Sequence, residues 1–112
     1  QRTPPFARAP GSRPMRSLAV FLALAMPASA EVAPGREAEL QHMVTQDCGS
    51  CHGLTRKGGL GSPLTAEALT HADPDALAAI ILDGVPDTAM PPWRPLLTEE
   101  EAIWIARYLK QD

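Results

Sequence analysis

The sequence predicts an all-α fold of three to four helices, and three observations carry that prediction. Apolar residues recur at three- and four-residue steps in three separate segments. Two of those segments carry helix-boundary residues, Asp73-Pro74 before one and Gly84 behind it, and Thr98 with Glu101 at the start of the last. No stretch alternates apolar and polar residues as a half-buried strand would, and no internal repeat is present.

Residues 1–14 carry four prolines, three arginines and no apolar period, and are read as an upstream or disordered leader. Residues 15–30 have the layout of a secretory signal peptide. Met15-Arg16 is followed by nine apolar residues from Leu18 to Met26, then Pro27 and the small triplet Ala28-Ser29-Ala30. A run of nine cannot cross a hydrocarbon core, which takes about 20 residues as helix, so cleavage after Ala30 is expected and no lasting membrane span. Residues 31–112 remain as one domain, expected in the periplasm. That domain carries six basic against thirteen acidic residues, a formal charge of −7 with histidine neutral. Such a balance argues against nucleic acid or anionic lipid as a partner, because both need basic patches. A domain this small buries only about 60% of its unfolded surface, so something besides side chains is expected to complete its core.

From Arg36 to Cys48, Leu40, Met43, Val44 and Cys48 form one helical stripe, and Gly49 and Gly53 are expected to loosen the chain behind it. "RKGGLGSP" from Arg56 to Pro63 is a loop by its glycines and proline, and a short helix is possible at Thr65 to Leu69. Asp73-Pro74 opens a helix with Leu77, Ile80 and Ile81 on one face, ending at Gly84. Four prolines between Val85 and Leu97 exclude helix and central strand. Thr98 and Glu101 form a capping box, and three consecutive acids suit the positive end of the last helix.

The two cysteines stand in "DCGSCHG", with His52 directly behind Cys51. Three chemistries compete for them. A structural zinc site needs four ligands, and the domain offers only His42 and His71 beyond the motif. A redox dithiol belongs at the start of a helix that follows a strand, and here a helix leads into the motif. The reading left standing is one covalently attached haem c: Cys48 and Cys51 bond the porphyrin vinyl groups and His52 reaches the iron, the C-x-x-C-H attachment pattern. A second iron ligand should then lie downstream on a stiff loop. Met90 does, in "TAMPPW", where Pro91 and Pro92 leave little loop entropy to lose. Met43 reads as packing, and His71 as the rival ligand.

With a helix leading into "CGSCH", a proline loop at "GLGSPL", a methionine loop and "EEEAIWIARYLK" as terminal helix, the chain from Gly35 to Lys110 resembles the class I cytochromes c. The resemblance implies that the first and last helices cross, with Val44 against the Trp104/Tyr108 face, and that the haem lies in the pocket they close with the middle helix. It implies that the carbonyl of Pro63 accepts a hydrogen bond from the free ring nitrogen of His52. Leu40 departs from the pattern, since many members have a small residue at this crossing. Trp93 and Arg94 are candidates to hold a haem propionate, against packing of the indole on Pro95.

"GGLG" and "MPPWRPLL" narrow the resemblance to the periplasmic monohaem cytochromes encoded with cytochrome cd1 nitrite reductase. This implies a monomeric electron carrier rather than an enzyme, donating single electrons to that reductase in denitrification. The candidate docking rim for such a carrier is Leu54 and Leu60, with Arg56 and Lys57 steering. Two alternatives stay open: an assembly role in haem d1 maturation, and a five-coordinate haem sensor or weak peroxidase if Met90 is labile.

Overall fold

The computed structural model describes residues 1–6, 10–21, 23 and 31–111. Among the described residues ahead of Pro34 there is no helix or strand, and Phe6, Met15, Leu18 and Phe21 are exposed. The Ala28-Ser29-Ala30 triplet and part of the apolar run before it lie outside the described residues, as do residues 7–9 of the leader.

Helix α1 spans Pro34–Met43. It starts ahead of Arg36 because Pro34 suits the first helical position, where no N–H is needed. The chain then stays helical through the cysteines: a π-helical turn at Val44–Cys48 leads into α2 at Gly49–His52. Gly49 does not loosen the chain as its composition suggested. It is buried in the helix, and a β-carbon there would stand 3.3 Å from the Leu54 side chain, so its smallness serves packing. The break comes at Gly53, whose φ of +91° few other residues adopt. A π-turn holds more residues per turn than an α-helix and so rotates the downstream residues about the helix axis. Leu40 and Val44 are sunk in the core, Met43 and Cys48 pack partly buried against it as the predicted stripe requires, and Cys48 and Cys51 also border a cavity.

The possible helix at 65–69 is instead a single turn, closed by Leu69 N–H donating to the Thr65 carbonyl at 3.0 Å. It tightens at once, with Ala72 N–H reaching only to the Leu69 carbonyl, because Pro74 ahead forbids continuation. Lys110 Nζ fastens this turn by donating to the carbonyls of Leu69, at 2.8 Å, and Ala72.

Helix α3 spans Pro74–Asp83, with the Asp73 carboxylate accepting from Ala76 N–H at 3.2 Å and Gly84 ending it. Helix α4 spans Glu99–Leu109 under the predicted capping box: Thr98 Oγ1 accepts from Glu101 N–H at 3.2 Å, and Glu101 Oε1 accepts from Thr98 N–H at 2.9 Å. One core joins Leu40 and Val44 to Leu69, Ala78, Leu82, Leu97, Ala102, Ile105, Ala106 and Leu109, with Trp104 and Tyr108 packed against it. The departure at Leu40 is resolved here. Leu40 is fully buried, and α4 contributes small core residues, Ala102 and Ala106, in its place. Arg36 pairs with Glu101 across the two helix starts. Trp104 and Tyr108 stack with centroids 5.2 Å apart.

Candidate functional site

A cavity of about 740 Å³ opens between α2, α3 and the proline-rich loop, within the roughly 300–1,000 Å³ usual for ligand sites. Cys48, Cys51 and His52 line it from α2 and the turn leading into it. Met90 lines it from the loop, and Leu64, Leu69, Leu77, Ile81 and Leu109 make its lining largely apolar. The helical segment that carries the core stripe thus also delivers both sulfurs and the imidazole to one cavity.

His52 is held on two sides. Its Nδ1 lies 2.7 Å from the carbonyl oxygen of Ser62, so that nitrogen donates and Nε2 is left as the free lone pair. The partner is Ser62, not Pro63 as the resemblance implied. The residue before a proline is confined to extended backbone, which fixes the direction of the Ser62 carbonyl. Pro63 serves by that constraint and by packing near Gly58, whose β-carbon would stand 3.3 Å from the proline ring. On the other side the imidazole lies on Gly61: a β-carbon there would come within 2.6 Å of its Cε1 and Nδ1. The loop is closed by Gly58 N–H to the His52 carbonyl and Gly61 N–H to the Cys51 carbonyl, both 2.8 Å.

Both cysteines are free thiols. Burial, and after it the charge of Asp47, pushes the Cys48 thiol above its ordinary value. That is the reverse of the activated thiol of a redox dithiol. Among the described residues no three His, Cys, Asp or Glu side chains gather as a metal-binding group, so the zinc reading finds no ligand set.

The methionine loop is built onto the end of α3. Trp93 N–H donates to the Ile81 carbonyl at 3.0 Å and Arg94 N–H to that of Leu82 at 3.1 Å, satisfying carbonyls that every helix end leaves open. Gly84 lets the loop close: a β-carbon there would stand 2.7 Å from the Met90 carbonyl. Trp93 reaches the cavity. Arg94 does not. Its Nε and Nη2 donate to Asp83 Oδ1 at 2.9 and 2.8 Å, and Glu99 lies 3.6 Å from Nη1. Acidic neighbours at the end of α3 and the start of α4 take its donors, so it clamps the loop instead of facing a propionate. Arg56 is likewise taken out of its expected steering role, its guanidinium lying 5.6 Å over the Tyr108 ring.

The donor set fits a covalently attached haem: two thiols and an imidazole from one helical segment and a thioether from the proline-rich loop line one largely apolar cavity, and the imidazole is oriented by the Ser62 carbonyl. A site so built defines the chain as a c-type cytochrome. A family model described as "Cytochrome C oxidase, cbb3-type, subunit III" matches residues 35–109, and the chain belongs to this family of cytochrome c domains.

Its relatives agree. The chain is 64% identical over 74 residues to "Cytochrome c55X" of Paracoccus denitrificans, covering 66% of this chain and 72% of that one. It is 45% identical over 104 residues to "Cytochrome c55X" of Pseudomonas aeruginosa, covering 91% and 87%. Among solved structures, "c-type cytochrome NirC" superposes with a TM-score of 0.69 at 47% identity, covering 70% of this chain and 93% of that chain. A further likeness, to "Dihydro-heme d1 dehydrogenase NirN in complex with DHE", has a TM-score of 0.55 at 35% identity and covers only 16% of that longer chain. The chain is therefore an electron-transfer cytochrome of class I fold, similar to NirC and carrying haem c. Among the described residues no helix is long and apolar enough to cross a membrane.

Sequence reasoning missed Ser62, Gly61 and Asp83. "GGLGSP" held a signal for the first two, since three glycines beside a proline near a ligand imply close backbone approach. Nothing in the sequence singles out Asp83 from the other acids.

Proposed function

We propose that this chain is an exported monohaem carrier, not an enzyme, in which Cys48 and Cys51 hold haem c and His52 and Met90 ligate its iron. Its partner on this reading is cytochrome cd1 nitrite reductase, to which it supplies single electrons in denitrification. The observation that carries the reading is the shared cavity, lined by the cysteines and histidine from one helical segment and by Met90 from the proline-rich loop. The bound haem supplies one-electron exchange between ferric and ferrous iron. The chain's own residues do the rest. His52 is oriented by Ser62 and Gly61, Met90 is pre-positioned by the loop on α3, and the apolar lining excludes water, which together with the thioether favours the ferrous state.

The test is the absorption spectrum of ferric and ferrous protein beside Met90→Ala. The expected result is loss of the methionine-to-iron band, a lower reduction potential and new carbon monoxide binding in the variant. A band unchanged in Met90→Ala removes Met90, and carbon monoxide binding by the unaltered ferrous protein supports the five-coordinate reading. Nitrite-dependent oxidation of the ferrous protein by purified cd1 reductase checks the partner. Export is checked by N-terminal sequencing of the periplasmic form, which should begin at Glu31 if residues 15–30 are removed.

A second reading is favoured by the likeness to dihydro-haem d1 dehydrogenase, 36% identical over 94 residues but across only 18% of that protein. On it the carrier serves haem d1 maturation. A strain lacking the gene would then make a reductase without d1; on the first reading the reductase is complete and lacks electrons.

A further inference from the structure

We propose that Arg56 is a positioning residue for His52: lying over Tyr108, it anchors to α4 the loop whose Ser62 carbonyl orients the imidazole. The inference deepens the reading of His52 as an iron ligand and rests on it. Arg56 stands at the point where this loop folds back. Its N–H donates to the Gly53 carbonyl at 2.9 Å, and its own carbonyl accepts from Leu64 N–H at 2.8 Å. The second bond closes the loop two residues past Ser62, whose carbonyl oxygen lies 2.7 Å from Nδ1 of His52. Gly61, Ser62 and Leu64 of this loop line the cavity, and neither Arg56 nor Tyr108 is among the lining residues. Whatever the pair does to the site therefore passes through the loop.

Two costs single the arginine out. It holds φ at +62°, in the left-handed region that side-chain-bearing residues rarely occupy, within a loop that has glycines at 53, 58, 59 and 61. Among the described residues its Nη1 is also buried with no hydrogen-bond partner. What offsets both is the ring: the guanidinium lies 5.6 Å over Tyr108, which stacks in turn on Trp104. The neighbouring Lys57 is exposed instead. A hydrogen bond from Nδ1 to a carbonyl makes the imidazole a better donor to iron and so favours the ferric state. Loosening the loop weakens that bond and raises the reduction potential. Deleting a nearby positive charge acts with the opposite sign, because it favours the ferric state.

The test follows hydrogen exchange by NMR in the ferrous, haem-loaded protein, comparing the parent with Arg56→Ala, Tyr108→Leu and the double variant. Each single variant is expected to speed exchange of the His52 ring N–H and the Leu64 amide by on the order of tenfold, what a partly desolvated cation–π contact supplies. The amides of Ile105 and Ala106 in α4 should lag well behind. The double variant should go no faster than either single one, since both remove the same contact. Arg56→Lys and Tyr108→Phe keep a cation over a ring and should stay near the parent. The reduction potential should rise in Tyr108→Leu, which retains the arginine's charge. Unchanged exchange at His52, equal acceleration at every amide, additive single effects, or a potential that falls or stays put in Tyr108→Leu would each overturn the inference. If Tyr108→Leu does not fold, Arg56→Ala and Arg56→Lys decide it by exchange alone. His52 ring protons that lack the ring-current shift of an axial ligand in the parent fail the haem-ligand reading instead, before any variant is made.

Discussion

A methyl group on residue 61 would press into the His52 ring at 2.6 Å, so the ring must give up either its position or its hydrogen bond to the Ser62 carbonyl. Gly61→Ala is therefore expected to lower the haem-to-protein absorbance ratio and shift the reduction potential. Gly35→Ala meets nothing within 4 Å and is the control, gaining up to about 0.5–1 kcal/mol of helix stability in thermal unfolding. At the helix crossing, the hydrogen bond from Arg36 is the main cause holding the Glu101 carboxyl below its ordinary value of 4.5. A carboxyl depressed in the folded state stabilises fully above its unfolded value, and that contribution is lost as pH falls through the folded one. Glu101→Gln keeps a capping-box side chain and removes the charge. It should cost about 1 kcal/mol near neutral pH, with the difference from the parent shrinking below about pH 4.5 in denaturant titrations.

Helix α3 and the methionine loop behave as one element, because the loop's N–H groups are the partners of the helix's last carbonyls. The Arg94–Asp83 clamp that fastens them is solvent-exposed, 52% and 61% at the side chains, so its loss should leave global stability little changed. Its effect belongs at the ligand. Asp83→Asn should raise carbon monoxide binding to the ferrous protein while the melting temperature barely moves; a melting shift without a change in ligand lability would make the clamp merely structural. Helix α4 is the contrasting case. Thr98→Ala removes an N-cap and should cost about 1 kcal/mol, and Leu40→Ala, opposite its small residues, about 2–5 kcal/mol in chemical unfolding.

For the whole molecule, a cavity of about 740 Å³ lies amid a core drawn from a few short helices. A group bound there adds apolar contact that these short helices do not supply, so haem attachment is expected to stabilise the fold. Cys48→Ala/Cys51→Ala is expected to yield colourless protein with much of its helical signal but little near-ultraviolet circular dichroism. A sharply cooperative melt equal to that of the loaded protein would show that the polypeptide closes without its cofactor. The same scale governs charge. A net excess of acids disfavours nucleic acid and anionic lipid as partners, and Arg36, Arg94, Lys110 and Arg56 are each engaged within the fold.

The helices, the attachment motif and the methionine loop were legible in the chain because each depends on neighbours within a turn or two. Pro74 and Gly84 bound a helix by their own backbone limits, Thr98 and Glu101 cap one within a single turn, and the close spacing of Cys48, Cys51 and His52 brings them to one cavity. What only the tertiary structure decided joins residues far apart or turns on a single bond rotation. The π-turn at Val44–Cys48, the carbonyl of Ser62 in place of Pro63, and Arg94 drawn to Asp83 are of this kind. So is Arg56 laid over Tyr108. Each was settled by competition among several acceptable local partners. A one-dimensional sequence shows which groups could meet, and packing decides which do.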